Sequence, residues 1–146
     1  MAAITTLGAK TVKDITVEES YLIAIKRTAD DADMRRGRIV TLDSDGEVSL
    51  VSAATEYPLG MVVSGGEAVG DTVTIATPFY AIIRAKASGA VAIGDRLACN
   101  GQDSGTDKLS TFIVAVATNY VSAVALTAGA DEAEITVGLL RTPVLF

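Results

Sequence analysis

From residue 38 onward, apolar and polar positions alternate in short runs rather than with helical spacing. Residues 38–43 and 47–52 form two such runs, separated by Ser44-Asp45-Gly46. An Asp-Gly pair between alternating segments is the strongest short-range hairpin signal, because tight primed turns need positive φ where Asp and Gly tolerate it best. The pattern continues and predicts further strands at 59–63, 72–76, 79–87, 96–99, 111–117, 120–127 and 134–140. Around the fifth of these strands, 79–87, Ala81, Ile83, Ala85 and Ala87 share one face while Arg84, Lys86 and Ser88 share the other. That is the alternation of a half-exposed antiparallel strand. Residues 111–118 and 121–126 are apolar on both faces, which marks central strands or an interface.

The turns repeat as well. Ala68-Val69-Gly70-Asp71-Thr72-Val73 is echoed by Ala92-Ile93-Gly94-Asp95-Arg96-Leu97, and more faintly by Ala128-Gly129-Ala130-Asp131 ahead of Ile135-Thr136-Val137. Gly supplies positive φ, and Asp bonds its own backbone two residues on. The echoes are too short and too few for a solenoid. They predict an all-β fold, a small antiparallel β-barrel or sandwich with short Gly-Asp turns. The polar stretch 100–108, NGQDSGTDK, predicts an exposed, mobile loop.

Residues 1–35 follow a different grammar. Positions 1–10 show no sustained period and predict an extended arm, and 11–17 have the loose two-residue period of an edge strand. The stretch 18–26, EESYLIAIK, lies between helix and strand, its β-branched and aromatic content favouring strand. Residues 28–36, TADDADMRR, read as a polar loop. The chain therefore divides into an N-terminal arm and lead-in over 1–35 and a β-barrel domain over 36–146. Ordering an arm costs about 1–2 kcal/mol of backbone entropy per residue, so a partner surface, such as a neighbouring subunit, is expected to hold it.

Composition sharpens the picture. The chain is 49% hydrophobic but only 5% aromatic, with no Trp, so its core must be built from Val, Ile, Leu and Ala. Small residues bury little area each, and stability is expected to draw on subunit contacts. A net charge of −6 argues against nucleic-acid binding through phosphates. Arg35, Arg36 and Arg38 are read as a solvated strand entry. The single Cys99 excludes an intrachain disulfide framework. No run approaches the ~20 apolar residues of a membrane span, and the first residues lack a secretory signal. Synthesis in the cytoplasm without a membrane partner is the expectation.

The chemistry of enzymes is hard to assemble from these residues. His is absent, which removes the commonest general base and metal ligand. Cys99, in RLACNG, reads as a small buried hydrophobe rather than a nucleophile. Asp30-Asp31-Asp33 reads as a solvated loop. Asp43-Asp45-Glu47 has the look of a calcium loop, but Gly46 stands fourth instead of sixth and Ala54 falls where the bidentate Glu belongs. Ser64-Gly65-Gly66-Glu67 lacks the Lys-Ser/Thr of a phosphate-binding loop. Lys86 and Lys108 are the candidates for a modified lysine of a lipoyl- or biotinyl-type carrier, although neither stands at a clean two-residue turn. No catalytic, cofactor-binding or metal-binding residue is expected.

Taken in order, RRGRIVTLDSDGEV at 35–48, PLGMVV at 58–63, AVGDTVTI at 68–75, AIGDRL at 92–97, VSAVALTAG at 121–129 and ITVGLL at 135–140 resemble the decoration, or cement, proteins of tailed-bacteriophage capsids. The resemblance covers about residues 35–141. The chain departs from that pattern at Gly60-Met61-Val62, where a Gly-Val strand is usual, and at Ala130-Asp131-Glu132-Ala133-Glu134, where another Gly-acid turn is usual. The resemblance implies a small β-barrel with an N-terminal arm, forming a trimer that binds the major capsid protein on the outer surface of the virion. It brings no catalytic residues and no cofactor. The alternative class is a barrel-sandwich carrier or ligand-binding module of a cellular protein. The expected contact residues are Ile4, Leu7, Val12, Ile15 and Val17 of the arm, Tyr21 and Ile23 of the lead-in, and Phe112, Val114, Tyr120 and Val124 of the apolar strand pair.

Overall fold

The computed structural model describes residues 23–77, 81–105 and 108–146. The expected arm residues Ile4, Leu7, Val12, Ile15, Val17 and Tyr21 lie outside the described residues, as does the proposed edge strand at 11–17. The described chain is all-β. It forms β1 (Ile23–Thr28), β2 (Ile39–Leu42), β3 (Val48–Leu50), β4 (Gly60–Gly65), β5 (Thr72–Thr77), β6 (Ile82–Ala87), β7 (Arg96–Gln102), β8 (Ser110–Val114), β9 (Tyr120–Ala125) and β10 (Glu134–Leu145). The ambiguous stretch ending at Lys26 is strand where it is described.

Two sheets pack together. The first has the order β1-β5-β4-β2-β3, and the second closes on itself as β10-β6-β8-β7-β9. Entered at β6, the closed ring runs β6-β10-β9-β7-β8, which is the first order with five added to every strand. The pairing senses repeat too. All neighbours are antiparallel except β6 and β8, which pair in parallel through Lys86↔Thr111 and Ala87↔Phe112. Their counterpart in the first sheet is the parallel bridge Ala29↔Val48.

The correspondence extends to single hydrogen bonds. The Ala29 N–H donates to Asp71 O (2.9 Å) where the Ala87 N–H donates to Ala133 O (2.8 Å). The N–H of Gly70 returns to Ala29 O, and that of Glu132 returns to Ala87 O. Gly37 N–H reaches Val62 O as Gly94 N–H reaches Ala125 O. The chain is thus two copies of one five-stranded unit, residues 23–77 and 82–145. β1 comes from the lead-in segment expected over 1–35 and pairs along the edge of β5, which would otherwise offer unpaired N–H and C=O groups.

Each unit fills its interior from the same positions. The first is packed by Ala29, Met34, Val40, Val48, Val62, Val73 and Ile75. The second has, at the matching positions, Ala87, Val91, Leu97, Phe112, Ala125, Ile135 and Val137. Burying a Val, Leu or Ile fully is worth about 1.5–3 kcal/mol, so either interior is a substantial core despite its small residues. Phe112 fills in the second unit the place that Val48 holds in the first.

The units are joined by an apolar seam and a polar latch. Ile39, Val51, Met61 and Ala76 project from the outer face of the first sheet and merge with the core of the second unit. Beside them the Ile39 N–H donates to Ser110 Oγ (3.0 Å), Gln102 Nε2 to Val51 O (2.8 Å), and Ser110 Oγ to Gln102 Oε1 (2.8 Å). Arg38, expected to be solvated, is buried at 4% exposure and donates to Asp33 O and Asp103 O. Burial lowers its guanidinium pKa without threatening its charge, because arginine stays protonated far above neutral pH. The stretch 100–108, expected to be mobile, is anchored at its base. The Thr111 hydroxyl donates to Asn100 Oδ1, Asn100 Nδ2 donates to Ser88 Oγ, and the Asp103 N–H donates to Leu109 O.

Candidate interaction surface

The acidic groups that first invite a chemical reading are structural. Asp43 Oδ1 accepts the N–H groups of Asp45 (2.9 Å) and Glu47 (3.0 Å), and Gly46 has φ +84°, so the triplet shapes the hairpin turn. In the other cluster, Asp31 Oδ2 accepts the Leu50 N–H (2.8 Å) and Asp30 Oδ2 accepts the Ser49 hydroxyl (3.2 Å). These carboxylates satisfy the outer edge of β3, one way a sheet edge is kept from pairing elsewhere. Among the described residues, no group of three or more Cys, Asp or Glu side chains is arranged to hold a metal ion.

Both candidate carrier lysines are in ion pairs. Lys86 Nζ lies 3.0 Å from Asp103 Oδ1 and 3.2 Å from Glu132 Oε1. The hydrogen bond to Asp103, then that to Glu132, raises the Lys86 pKa, and Lys86 in turn holds Asp103 below the usual carboxylate range. Lys108 Nζ is 3.3 Å from Asp33 Oδ2 and lowers that carboxyl's pKa in the same way. Cys99 is buried, and desolvation pushes its thiol up to about 12. A thiol at that value carries almost no thiolate near neutral pH, which is the form that reacts.

The turns have one geometry. The Asp71 N–H returns to Ala68 O while its carboxylate accepts the Ala68 N–H at 2.9 Å. Asp95 does the same to Ala92, with 2.8 Å at the carboxylate. A copy that the sequence pattern missed is Val116-Ala117-Thr118-Asn119: Asn119 Oδ1 accepts the Val116 N–H, and Thr118 takes the positive φ. Asn replaces Asp and Thr replaces Gly there, so no Gly-Asp signal remains. At Ala130–Ala133, Glu132 holds φ +71° in the place of Gly70.

With the reactive groups absorbed by structure, the outer face of the second unit stands out. Direct strand partners Ile82↔Gly138, Gly138↔Val124 and Val124↔Arg96 form one row across β6, β10, β9 and β7. Ile82 is 70% exposed, and Leu126, whose side chain lies over Gly138, is 42% exposed. At the far end of the row the Arg96 guanidinium sits 4.9 Å from the centre of the half-exposed Phe146 ring, a cation–π contact. Val116 and the chain end at Val144 and Leu145 add exposed apolar area nearby.

The expected contact residues fall unevenly on this map. Val124 lies in the row, half-buried, and Val114 is exposed at the end of β8. Tyr120 packs edge-to-face on Tyr57, its counterpart in the first unit, with ring centres 5.2 Å apart. Ile23 pairs with Thr77 at the start of β1. Phe112 is fully buried inside the second unit and is core rather than contact surface, because its strand is apolar on both faces and the inward face took the ring. Leu126 closes the apolar stretch 121–126 marked from the sequence, whereas Ile82 and Phe146 were not singled out; an apolar residue at a strand start or at position 146 carries no periodic signal of its own. Comparison with protein-family models and with curated proteins finds no match to the chain.

Proposed function

We propose that the chain is a non-enzymatic capsid decoration protein that binds the outer surface of a phage head as a trimer and stabilises the shell. What supports this reading is the ordered sequence resemblance, together with an outer row on the second unit that suits a contact between subunits: exposed Ile82, half-buried Gly138 and Val124, and Arg96, with exposed Leu126 and Phe146 beside them. Contiguous apolar surface rimmed by polar residues is characteristic of protein contact sites. The ordered sequence resemblance supplies the kind of partner, a major capsid protein. Affinity in such an assembly comes from many weak contacts made at once, raised by the effective concentration within an oligomer.

The experiment is co-sedimentation with shells assembled from the major capsid protein of the phage to which the proposal assigns this chain. Saturable binding at a fixed ratio supports the proposal. Protein left in the supernatant at saturating concentration refutes it. An intact mass showing a lipoyl or biotinyl adduct on Lys86 or Lys108 would transfer the chain to the carrier class instead.

A further inference from the structure

The two units are equivalent strand by strand, yet their outer faces have different fates. In the first unit the row across β5, β4 and β2 is Ala76, Met61 and Ile39, joined through Ala76↔Met61 and Met61↔Ile39. All three are buried, at 2%, 8% and 0% exposure, because the second unit covers them. Val63 beside them packs against the same shared core. The matching residues of the second unit are Gly138, Val124, Arg96 and Leu126. Nothing among the described residues covers them as the second unit covers the first.

The surface that covers the first unit is also identifiable. It is an end of the second unit: Ala81 and Ile83 line a cleft with Met61, and Cys99 and Leu139 belong to the same shared apolar cluster. In the first unit the position of Cys99 is held by Leu42, since Leu42↔Val48 matches Cys99↔Phe112. Leu42 is 44% exposed. Each chain therefore carries one joint already made between its units, plus the two halves of a second joint left open: a receiving face at Val124 and Leu126, and a covering end at Leu42.

We infer that the open face of the second unit docks the Leu42 end of the first unit of a second copy, repeating between chains the joint that each chain makes within itself. This deepens the trimer of the proposed function by naming its contact surfaces. The contact is heterologous, head to tail, and such contacts close into a ring when the rotation per step permits. Charge favours this occupant. The charged member of the row is the cation Arg96, and the Leu42 end carries the acidic hairpin turn Asp43, Asp45 and Glu47.

Sedimentation of the pure protein tests this without any capsid, so its outcome is separate from that of shell binding. The wild type should sediment as a closed oligomer of the 15.0 kDa protomer. Leu126→Glu and Leu42→Glu, each at an exposed position, should both sediment as monomers with unchanged circular dichroism. Mixed in equal amounts they should give a species of twice the protomer mass and nothing larger, because each retains the half-joint that the other has lost. Leu126→Ser and Leu42→Ser replace the Glu variants if either fails to refold. A monomeric wild type, a variant that keeps the wild-type mass, or a mixture that stays monomeric would overturn the inference.

Discussion

Replacing Phe112 by Ala separates core from contact. The side chain is fully buried and lies among Leu97, Ala125, Ile135 and Val137 of the second unit. Deleting a buried Phe costs about 3–5 kcal/mol, the transfer of the ring plus the cavity it leaves. Against a total stability of about 5–15 kcal/mol, that is a large fraction. The matched change in the first unit, Val48→Ala, removes two carbons worth about 0.8 kcal/mol each, plus a smaller cavity. Urea unfolding followed by circular dichroism should therefore rank Phe112→Ala well below Val48→Ala, with both below wild type. If Phe112 were a contact residue instead, its removal would leave the protomer's stability within about 1 kcal/mol of wild type and would lower only the oligomer mass. That result would refute the assignment of the ring to the core.

Three further outcomes follow from the turns and the ion pairs. Gly70→Ala and Gly94→Ala, at φ +92° and +91° with open space around a new Cβ, should each cost about 1–2 kcal/mol of left-handed strain and lower Tm by roughly 2–4 °C per kcal/mol in a chain of this size; unchanged melting would contradict the turn geometry. Asp33 and Asp103 have lowered pKa values, so their stabilisation is complete above the unfolded carboxylate value of about 3.9 and is lost as pH falls through the folded values. Asp103→Asn should flatten the acid limb of the urea midpoint plotted against pH. Lys86 is raised, so its contribution is present below the unfolded value of about 10.4 and lost as pH rises through the folded one. Lys86→Met should flatten the alkaline limb, and an unaltered limb in either variant would show that its pair does not stabilise the fold.

Strand positions were legible in the sequence because alternation and Gly-Asp turns are local signals. The hairpin at Asp43–Glu47 and the turns at 68–71 and 92–95 have the geometry their residues predict. The duplication was legible only in part: the strong echo between 68–73 and 92–97 points to the wrong alignment, whereas the faint one at 128–131 leads into the right strand, β10, two residues out of step. The turns at 68–71 and 92–95 lead into β5 and β7, which are not counterparts. The true counterpart of Ala68–Asp71 is Ala130–Ala133, where Glu132 has replaced the glycine. That of Ala92–Asp95 is Arg35–Arg38, where the Arg38 N–H returns to Arg35 O around Gly37. Backbone hydrogen bonds match between the two units where the side chains differ. Arg38 misled for a related reason: a charge run looks solvated until tertiary contacts supply two carbonyls for one guanidinium. Of the proposed contact surface, Val124 and Leu126 lay within the apolar stretch 121–126, whereas Ile82 acquires meaning only where Gly138 joins it to Val124.

Electron cryomicroscopy of phage shells assembled with and without this chain tests the central claim most directly. The account predicts added density on the outer surface at three-fold or quasi-three-fold positions, divided into protomers of two five-stranded units joined head to tail. Shells that gain no density after incubation at saturating concentration would contradict it.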